Sequence, residues 1–88
     1  MSEYLKMPIV KAILDINKTR IMTVVFDKTD GKESKVTGIM LNDFGPNDKL
    51  YRIYGNILIK TIYPTINIKS FNINKVKQIK ALKQTFKP

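Results

Sequence analysis

The chain contains no cysteine and no histidine. Without cysteine there is no disulfide framework and no thiolate nucleophile, and without histidine the commonest general base and metal ligand are missing. Zinc and iron–sulfur sites are therefore excluded in their usual forms. No Walker-type glycine-rich loop and no dinucleotide-binding fingerprint occurs. We expect no catalytic residue, no metal and no cofactor, and hence a protein that is not an enzyme.

Carboxylates are too sparse and too dispersed to suggest a metal site. The one place where a Mg²⁺ or Ca²⁺ site could form is the segment 42–49, which contains Asn42, Asp43, Asn47 and Asp48. Their spacing does not match an EF-hand loop. Asn, Asp, Gly and Pro crowd together there, which is typical of a solvated turn. We therefore interpret 42–49 as a loop.

Long apolar runs are also absent. The longest ones, such as 39–41 and 57–59, are far too short to cross a membrane. The N-terminal region has Glu3 and Lys6 instead of a basic segment followed by a long apolar one, so no signal peptide is predicted. We expect a cytoplasmic location, in a bacterium or a phage-infected host cell, and no membrane partner.

Acidic residues are missing from the second half of the chain. Residues 1–48 hold seven basic and seven acidic residues, whereas 49–88 hold nine basic residues and no Asp or Glu. The net charge of +9 therefore comes entirely from 49–88. Ile, Lys and Asn make up 34 of the 88 residues, as an AT-rich genome would encode, but that bias does not exclude Asp and Glu. The imbalance indicates a polyanionic or acidic partner.

A length of 88 residues limits the chain to one small domain, 1–88. Its first element is predicted to be a helix at about 8–18, with Pro8 in the first turn, where no N–H donor is needed. Apolar residues at i, i+3, i+4 and i+7 predict the buried face of this helix. They are Ile9, Ala12, Ile13 and Ile16.

Short strands follow the helix, separated by turn-forming residues. β-Branched residues predict a strand at 21–28, the Asp-Gly pair at 30–31 predicts a hairpin turn, and 33–41 is the return strand. Gly38 lies inside that return strand and predicts a bend or bulge. Beyond the loop, the predicted strands and turns are 50–54 (strand), 55–56 (turn), 57–63 (strand), Pro64 (corner) and 65–71 (strand).

The last segment has two interpretations. Ile73, Val76, Ile79, Leu82 and Phe86 are spaced almost like a helical stripe. The alternative, which we favour, is a short turn at 72–75 and a final strand at about 77–82, followed by a frayed tail at 83–88. One helix and five or six short strands predict a mainly β (α+β) fold. A small closed barrel over about 21–82 would hide the sheet edges.

Three segments carry a resemblance to known barrels. They are VVFDKTDGK at 24–32, VTG at 36–38 and KSFNINKVKQI at 69–79. Their order of strand, Asp-Gly turn and closing Ser-Phe-x-Ile-x-Lys-Val segment resembles the small SH3-like β-barrel proteins of tailed phages. It is also distantly similar to the Sm-like barrel of WYL domains.

The resemblance implies an SH3-like or Sm-like barrel whose closing segment forms a strand, a short 3₁₀-like turn and a final strand. WYL domains are regarded as sensors of nucleic acid or nucleotides, whereas many of the phage barrels have no assigned role. The Trp-Tyr-Leu signature is absent, since the chain has no Trp, and no ligand-binding residue is carried over.

Outward positions on the basic strands form the candidate binding site. Alternation along the predicted strands places Arg52, Lys60, Lys69 and Lys80 opposite the apolar positions, and we predict that they share one outer face. Tyr54, Tyr63 and Phe71 are interleaved with them; we favour the core for Tyr63 and Phe71 and leave Tyr54 open. The candidate residues are Arg52, Tyr54, Lys60, Lys69, Lys75, Lys77 and Lys80.

Two classes of partner fit this basic surface. The first is nucleic acid, bound with low sequence specificity because two arginines provide little bidentate base readout. The second is an acidic surface of a host protein, bound by a phage-encoded inhibitor or adaptor. Self-association through the strand edge near Pro64 is compatible with either, so a homo-oligomer also stays open. Both hypotheses need the same basic surface, and the sequence does not separate them.

Overall fold

A short helix and six antiparallel strands form the regular structure. The computed structural model describes residues 3–42 and 44–88. Its elements are α1 (Met7–Ile16), β1 (Ile21–Asp27), β2 (Glu33–Met40), β3 (Asn56–Tyr63), β4 (Asn67–Asn72), β5 (Val76–Ala81) and β6 (Gln84–Phe86). A π-helical turn, Leu50–Tyr54, precedes β3, and a 3₁₀ turn, Ile73–Lys75, precedes β5. The predicted mainly β class is confirmed. No helix in the described ranges is long and apolar enough to cross a membrane.

The strands form one sheet in the order β4-β3-β2-β1-β5-β6. Each neighbouring pair is antiparallel. β4 and β6 are the two edges, so the hydrogen-bonded ladder is not closed. The sheet is nevertheless curled, because the rings of Phe26 in β1 and Phe71 in β4 lie 5.1 Å apart, although β2 and β3 separate these strands.

Gly38 marks one of the places where the sheet bends. The β2–β3 register shifts between Thr37 and Gly38, which confirms the bend or bulge predicted from the glycine. A Cβ atom at Gly38 would lie 2.1 Å from the backbone oxygen of Lys60. Only glycine permits this close approach of β2 and β3.

The core lies between α1 and the concave face of the sheet. Val10, Ile13 and Leu14 are the buried residues of α1, and they join one cluster with the inward residues of the strands. The predicted helix is confirmed, but its predicted face is only partly right: Ile13 is buried, whereas Ile9, Ala12 and Ile16 are exposed. Val10, Ile13 and Leu14 also have i, i+3, i+4 spacing, and the contact with the sheet selected that stripe. The convex face of the sheet stays open to solvent.

The segment predicted as a strand at 50–54 is instead the π-helical turn. The Asp48 carboxylate accepts a hydrogen bond from the backbone N–H of Tyr51 at 3.2 Å. At the other end, Gly55 has φ +70° and its N–H donates to the carbonyl of Tyr51 at 2.9 Å. The Tyr51 ring also packs edge-on against Phe44 at 4.7 Å. Gly55 therefore ends a helical turn and does not form the predicted hairpin turn.

The C-terminal segment is a strand pair. The 3₁₀ turn and β5 confirm the favoured strand interpretation over the helical one. The frayed tail predicted at 83–88 is wrong, because β6 pairs with β5 and Phe86 packs against the core. Leu82 and Lys83, with φ +50° and +64°, form the two-residue turn between them.

Candidate binding surface

The convex face is built from outward side chains that the strand register aligns in rows. Directly opposed residues of an antiparallel pair point to the same side of the sheet. One row is Ile21, Ile39, Lys60 and Ile68, from β1, β2, β3 and β4. The next row is Tyr63, Thr37, Thr23, Lys80 and Thr85, from β3, β2, β1, β5 and β6. A third row is Lys35, Val25 and Gln78.

Three lysines supply the positive charge of this face. Lys35, Lys60 and Lys80 are exposed, and none of them forms an ion pair with another residue that the structure describes. From the strand spacing and the rise per residue, Lys60 and Lys80 are about 16 Å apart along the sheet. Thr23 and Thr37, whose hydroxyls are 2.8 Å apart, lie between them.

Exposed isoleucines surround Lys60. The exposed fractions of the surfaces of Ile21, Ile39 and Ile68 are 53%, 40% and 59%. Large apolar residues at the β3–β4 connection extend this exposed surface: Ile62, Tyr63 and Ile66. We name these six residues the isoleucine patch. Contiguous exposed apolar surface of this kind is typical of protein–protein interaction sites.

The carboxylates of the sheet do not neutralise Lys35, Lys60 or Lys80, because they pair with Lys77 instead. Asp27 and Glu33, the only acidic residues of the described strands, pair with each other across β1 and β2 at the far end of the face. The Lys77 ammonium lies 3.2 Å from Asp27 and 3.3 Å from Glu33. The Tyr4 hydroxyl donates to the other Asp27 oxygen at 2.6 Å. The hydrogen bond from Tyr4, with a further contribution from Lys77, holds the pKa of Asp27 below its usual range.

The predicted basic residues are only partly brought together. Lys60 and Lys80 share the convex face as predicted. Lys69 does not, because it lies opposite Ile59 and therefore points to the concave side of β4. Arg52 is on the π-helical turn and donates to the carbonyl of Pro46 at 2.6 Å. Lys77 is held by the two carboxylates, and its pKa is raised by its hydrogen bonds to Asp27 and Glu33.

Among the described strand residues, only Tyr63 places an aromatic ring on the convex face, opposite Thr37 in the row that contains Lys80. Phe71 is buried in the core as favoured, whereas Tyr63 is exposed, so the core prediction for Tyr63 is wrong. β3 has its last buried residue at Thr61, and Tyr63 lies beyond the core. Tyr54 is exposed on the π-helical turn. The remaining candidate, Lys75, lies with its ammonium 5.2 Å from the centre of the Tyr4 ring.

Sequence reasoning missed the contribution of the first half of the chain. Lys35, Ile21 and Ile39 belong to β1 and β2, where the overall charge cancels, so composition drew no attention to them. The available indication was strand alternation: Lys35, Thr37 and Ile39 occupy every second position of one predicted strand. Which of the two faces of the strand stays exposed to solvent depends on which face the helix covers.

Polar side chains of the segment 42–49 are engaged in hydrogen bonds within the fold. Asn42 donates to Asp48 at 2.7 Å and accepts from the N–H of Leu58 at 2.6 Å. Asp43 lies outside the described residues. In the ranges 3–42 and 44–88 no three acidic, histidine or cysteine side chains form a group that could hold a metal ion.

Comparison of the chain with protein-family models, curated proteins and solved structures finds no match.

Proposed function

We propose that this protein is a non-catalytic binding module that docks an acidic protein surface through its convex face. One observation carries the proposal: exposed isoleucines surround a lysine on a sheet face whose only carboxylates are already neutralised. Contiguous exposed apolar surface is typical of protein interaction sites, and here it encloses one cation, Lys60. The lysines would steer an acidic partner and set its orientation.

Nucleic acid fits this face less well. Proteins that hold single strands combine cations with aromatic rings on which bases stack. Here Tyr63 is the one described strand residue with an aromatic ring on this face. The other neighbours of the lysines are isoleucine and threonine, which have no π-face, and Phe71 is in the core. The lysines are also spread over both sides of the sheet and its loops instead of along one groove. We therefore take a protein as the favoured partner and nucleic acid as the competing outcome.

We further infer that the curled sheet is an SH3-like or Sm-like barrel. Three features support this inference: the order β4-β3-β2-β1-β5, the 3₁₀ turn between β4 and β5, and the contact of Phe26 with Phe71. Together with the resemblance to the barrels of tailed phages, this favours a phage-encoded inhibitor or adaptor that acts on a host protein.

The test is a pull-down from a nuclease-treated bacterial lysate with charge-matched variants. Lys60→Glu combined with Lys80→Glu reverses the convex face. Lys18→Glu combined with Lys83→Glu makes the same change in net charge outside that face, at two exposed positions. We expect one protein to be captured in a fixed ratio by the wild type and by the control variant, and to be lost with the face variant.

A direct titration separates the two partner classes. Single-stranded RNA and duplex DNA are added to the wild type at increasing salt, with fluorescence anisotropy as the readout. We expect weak binding. Tight binding whose logarithm falls steeply with the logarithm of the salt concentration, together with loss of protein capture after nuclease treatment, would show that nucleic acid is the partner and would contradict the proposal.

A further inference from the structure

β4 presents a free edge whose backbone orientation follows from its pairing with β3. The N–H of Ile73 donates to the carbonyl of Gly55 at 2.8 Å, so these opposed residues form a hydrogen-bonded pair. Hydrogen-bonded and non-bonded pairs alternate along an antiparallel ladder. The pairs of Phe71 with Ile57 and of Lys69 with Ile59 are therefore bonded as well. The N–H and C=O groups of Ile68 and Ser70 consequently point away from β3.

Two side-chain contacts agree with this orientation. The outward N–H of Ile68 donates to the side chain of Asn67 at 2.8 Å. On the other side of β3, the backbone of Leu58 bonds to Asn42 and Leu41, towards β2, as the alternation requires. The outward N–H and C=O of Ser70 bond to no other residue that the structure describes.

Natural sheets usually protect such an edge with a bulge, a proline or a very short strand. β4 has neither a bulge nor a proline: its register with β3 runs without a shift, and no proline lies within Asn67–Asn72. Its protection is the inward-pointing charge of Lys69, which repels a cationic strand but would be neutralised by an acidic one. The other edge, β6, is only three residues long. β4 is therefore the edge of this sheet that is suited to receive an added strand.

A cleft of about 550 Å³ lies beside the free edge of β4. Ser70 and Asn72 line one side of it, and the β1–β2 turn with Lys28 and Thr29 lines another. Lys75 also lines the cleft. The carboxylate of Asp27, which lines it too, is engaged by Tyr4 and Lys77. The charges of the cleft that remain available are thus those of Lys28 and Lys75.

We propose that the free edge of β4 accepts an extended acidic segment of the partner as an added strand. Main-chain hydrogen bonds to the carbonyl of Ile68 and to the N–H and carbonyl of Ser70 hold the segment, and its carboxylates lie towards Lys28, Lys69 and Lys75. The acidic character of the partner rests on the proposed function. A second copy of this chain is disfavoured as the occupant, because it carries a net charge of +9 and would bring like charges together.

The test removes one backbone N–H and leaves the rest of the edge unchanged. Ser70→Pro deletes the outward donor without breaking a bond to β3, and Ser70→Val is its control, because valine keeps the N–H. The probe is a capped octapeptide of alternating Glu and Val, and the matching Lys and Val peptide controls for charge. Affinity is measured by NMR titration, after urea unfolding has shown that both variants are folded.

We expect the Glu-Val peptide to bind the wild type and Ser70→Val alike, and Ser70→Pro roughly tenfold more weakly, as expected for the loss of one backbone hydrogen bond and its strand register. The Lys-Val peptide should not bind. A second measurement needs no variant: bound Glu-Val peptide should slow hydrogen exchange of the Ser70 amide in the wild type.

Three results would overturn the proposal. They are equal affinity of Ser70→Pro and wild type, unchanged exchange at Ser70, and a concentration-dependent dimer that Ser70→Pro abolishes, which would make a second copy the occupant. Failure of the edge is distinguishable from failure of the convex face. If Ser70→Pro still captures the lysate protein and the face variant does not, only the edge proposal is wrong. If the face variant still captures it, the proposed function is wrong.

Discussion

Replacing Gly38 with alanine should strongly destabilise this fold. The new Cβ would lie 2.1 Å from the Lys60 oxygen and 2.7 Å from the Lys60 carbonyl carbon and the Thr61 Cα. All three are backbone atoms, so no side chain can rotate away. Because comfortable contacts between heavy atoms need about 3.5 Å, β2 and β3 would have to separate by more than 1 Å at this point.

The magnitude follows from what that separation breaks. Overpacking of a tight site costs about 1–3 kcal/mol, and two weakened ladder hydrogen bonds add about 1 kcal/mol each. We expect a loss of about 3 kcal/mol in the free energy of unfolding. A chain of this length has a free energy of unfolding of about 4–13 kcal/mol. At the lower end of this range, the variant would be only marginally stable.

Urea unfolding followed by circular dichroism measures this effect. A loss of about 3 kcal/mol lowers the urea midpoint by roughly 2 M for a small protein. Gly31→Ala is the matched control: Gly31 has φ +86° but nothing within 4 Å of its Cβ position. Only backbone strain of about 1 kcal/mol is expected there. If Gly38→Ala lowers the midpoint no more than Gly31→Ala does, the close approach of β2 and β3 is refuted.

Three further predictions concern local contacts. Because the folded pKa of Asp27 is below its ordinary value of 3.8, its interactions stabilise the fold above pH 3.8, and this contribution disappears as the pH falls through the folded pKa. Asp27→Asn should therefore flatten the decline of the urea midpoint below pH 4; parallel pH profiles would contradict this. Lys83→Gly should raise the free energy of unfolding by about 1 kcal/mol in thermal melts, since Lys83 has φ +64°; a lower melting temperature would count against the two-residue turn. Asp48→Ala should cost about 1–2 kcal/mol by removing the acceptor for both the Tyr51 N–H and the Asn42 side chain, whereas Asp30→Ala, in an exposed turn, should cost less; equal losses would argue against a structural role of Asp48 at the start of the π-helical turn.

Local patterns determined much of the secondary structure. The Asp-Gly pair at 30–31 forms the turn of a hairpin because Gly31 adopts φ +86°. β2 bends at Gly38 because the absence of a Cβ atom lets its backbone approach Lys60 of β3. The closing segment formed a 3₁₀ turn and a strand as favoured. The segment 50–54 was mispredicted because its turn depends on Asp48, Gly55 and the packing of Tyr51 on Phe44. Phe44 lies in the loop before the turn, and an alternating strand pattern contains no information about its contact with Tyr51.

The sequence by itself determined that the back half is basic, that chemistry based on histidine or cysteine is absent, and that strands dominate. Only the tertiary structure decided which of those charges meet. Alternation places Lys60 and Lys69 on outward positions equally well, but the register of β4 on β3 puts Lys60 on the convex face and Lys69 on the other. Likewise, Lys77 has no partner within its own strand and is neutralised by Asp27 and Glu33, which are distant in sequence. Register and ion pairing depend on which strands become neighbours, and that is settled by burial of the whole core and not by any local stretch of sequence.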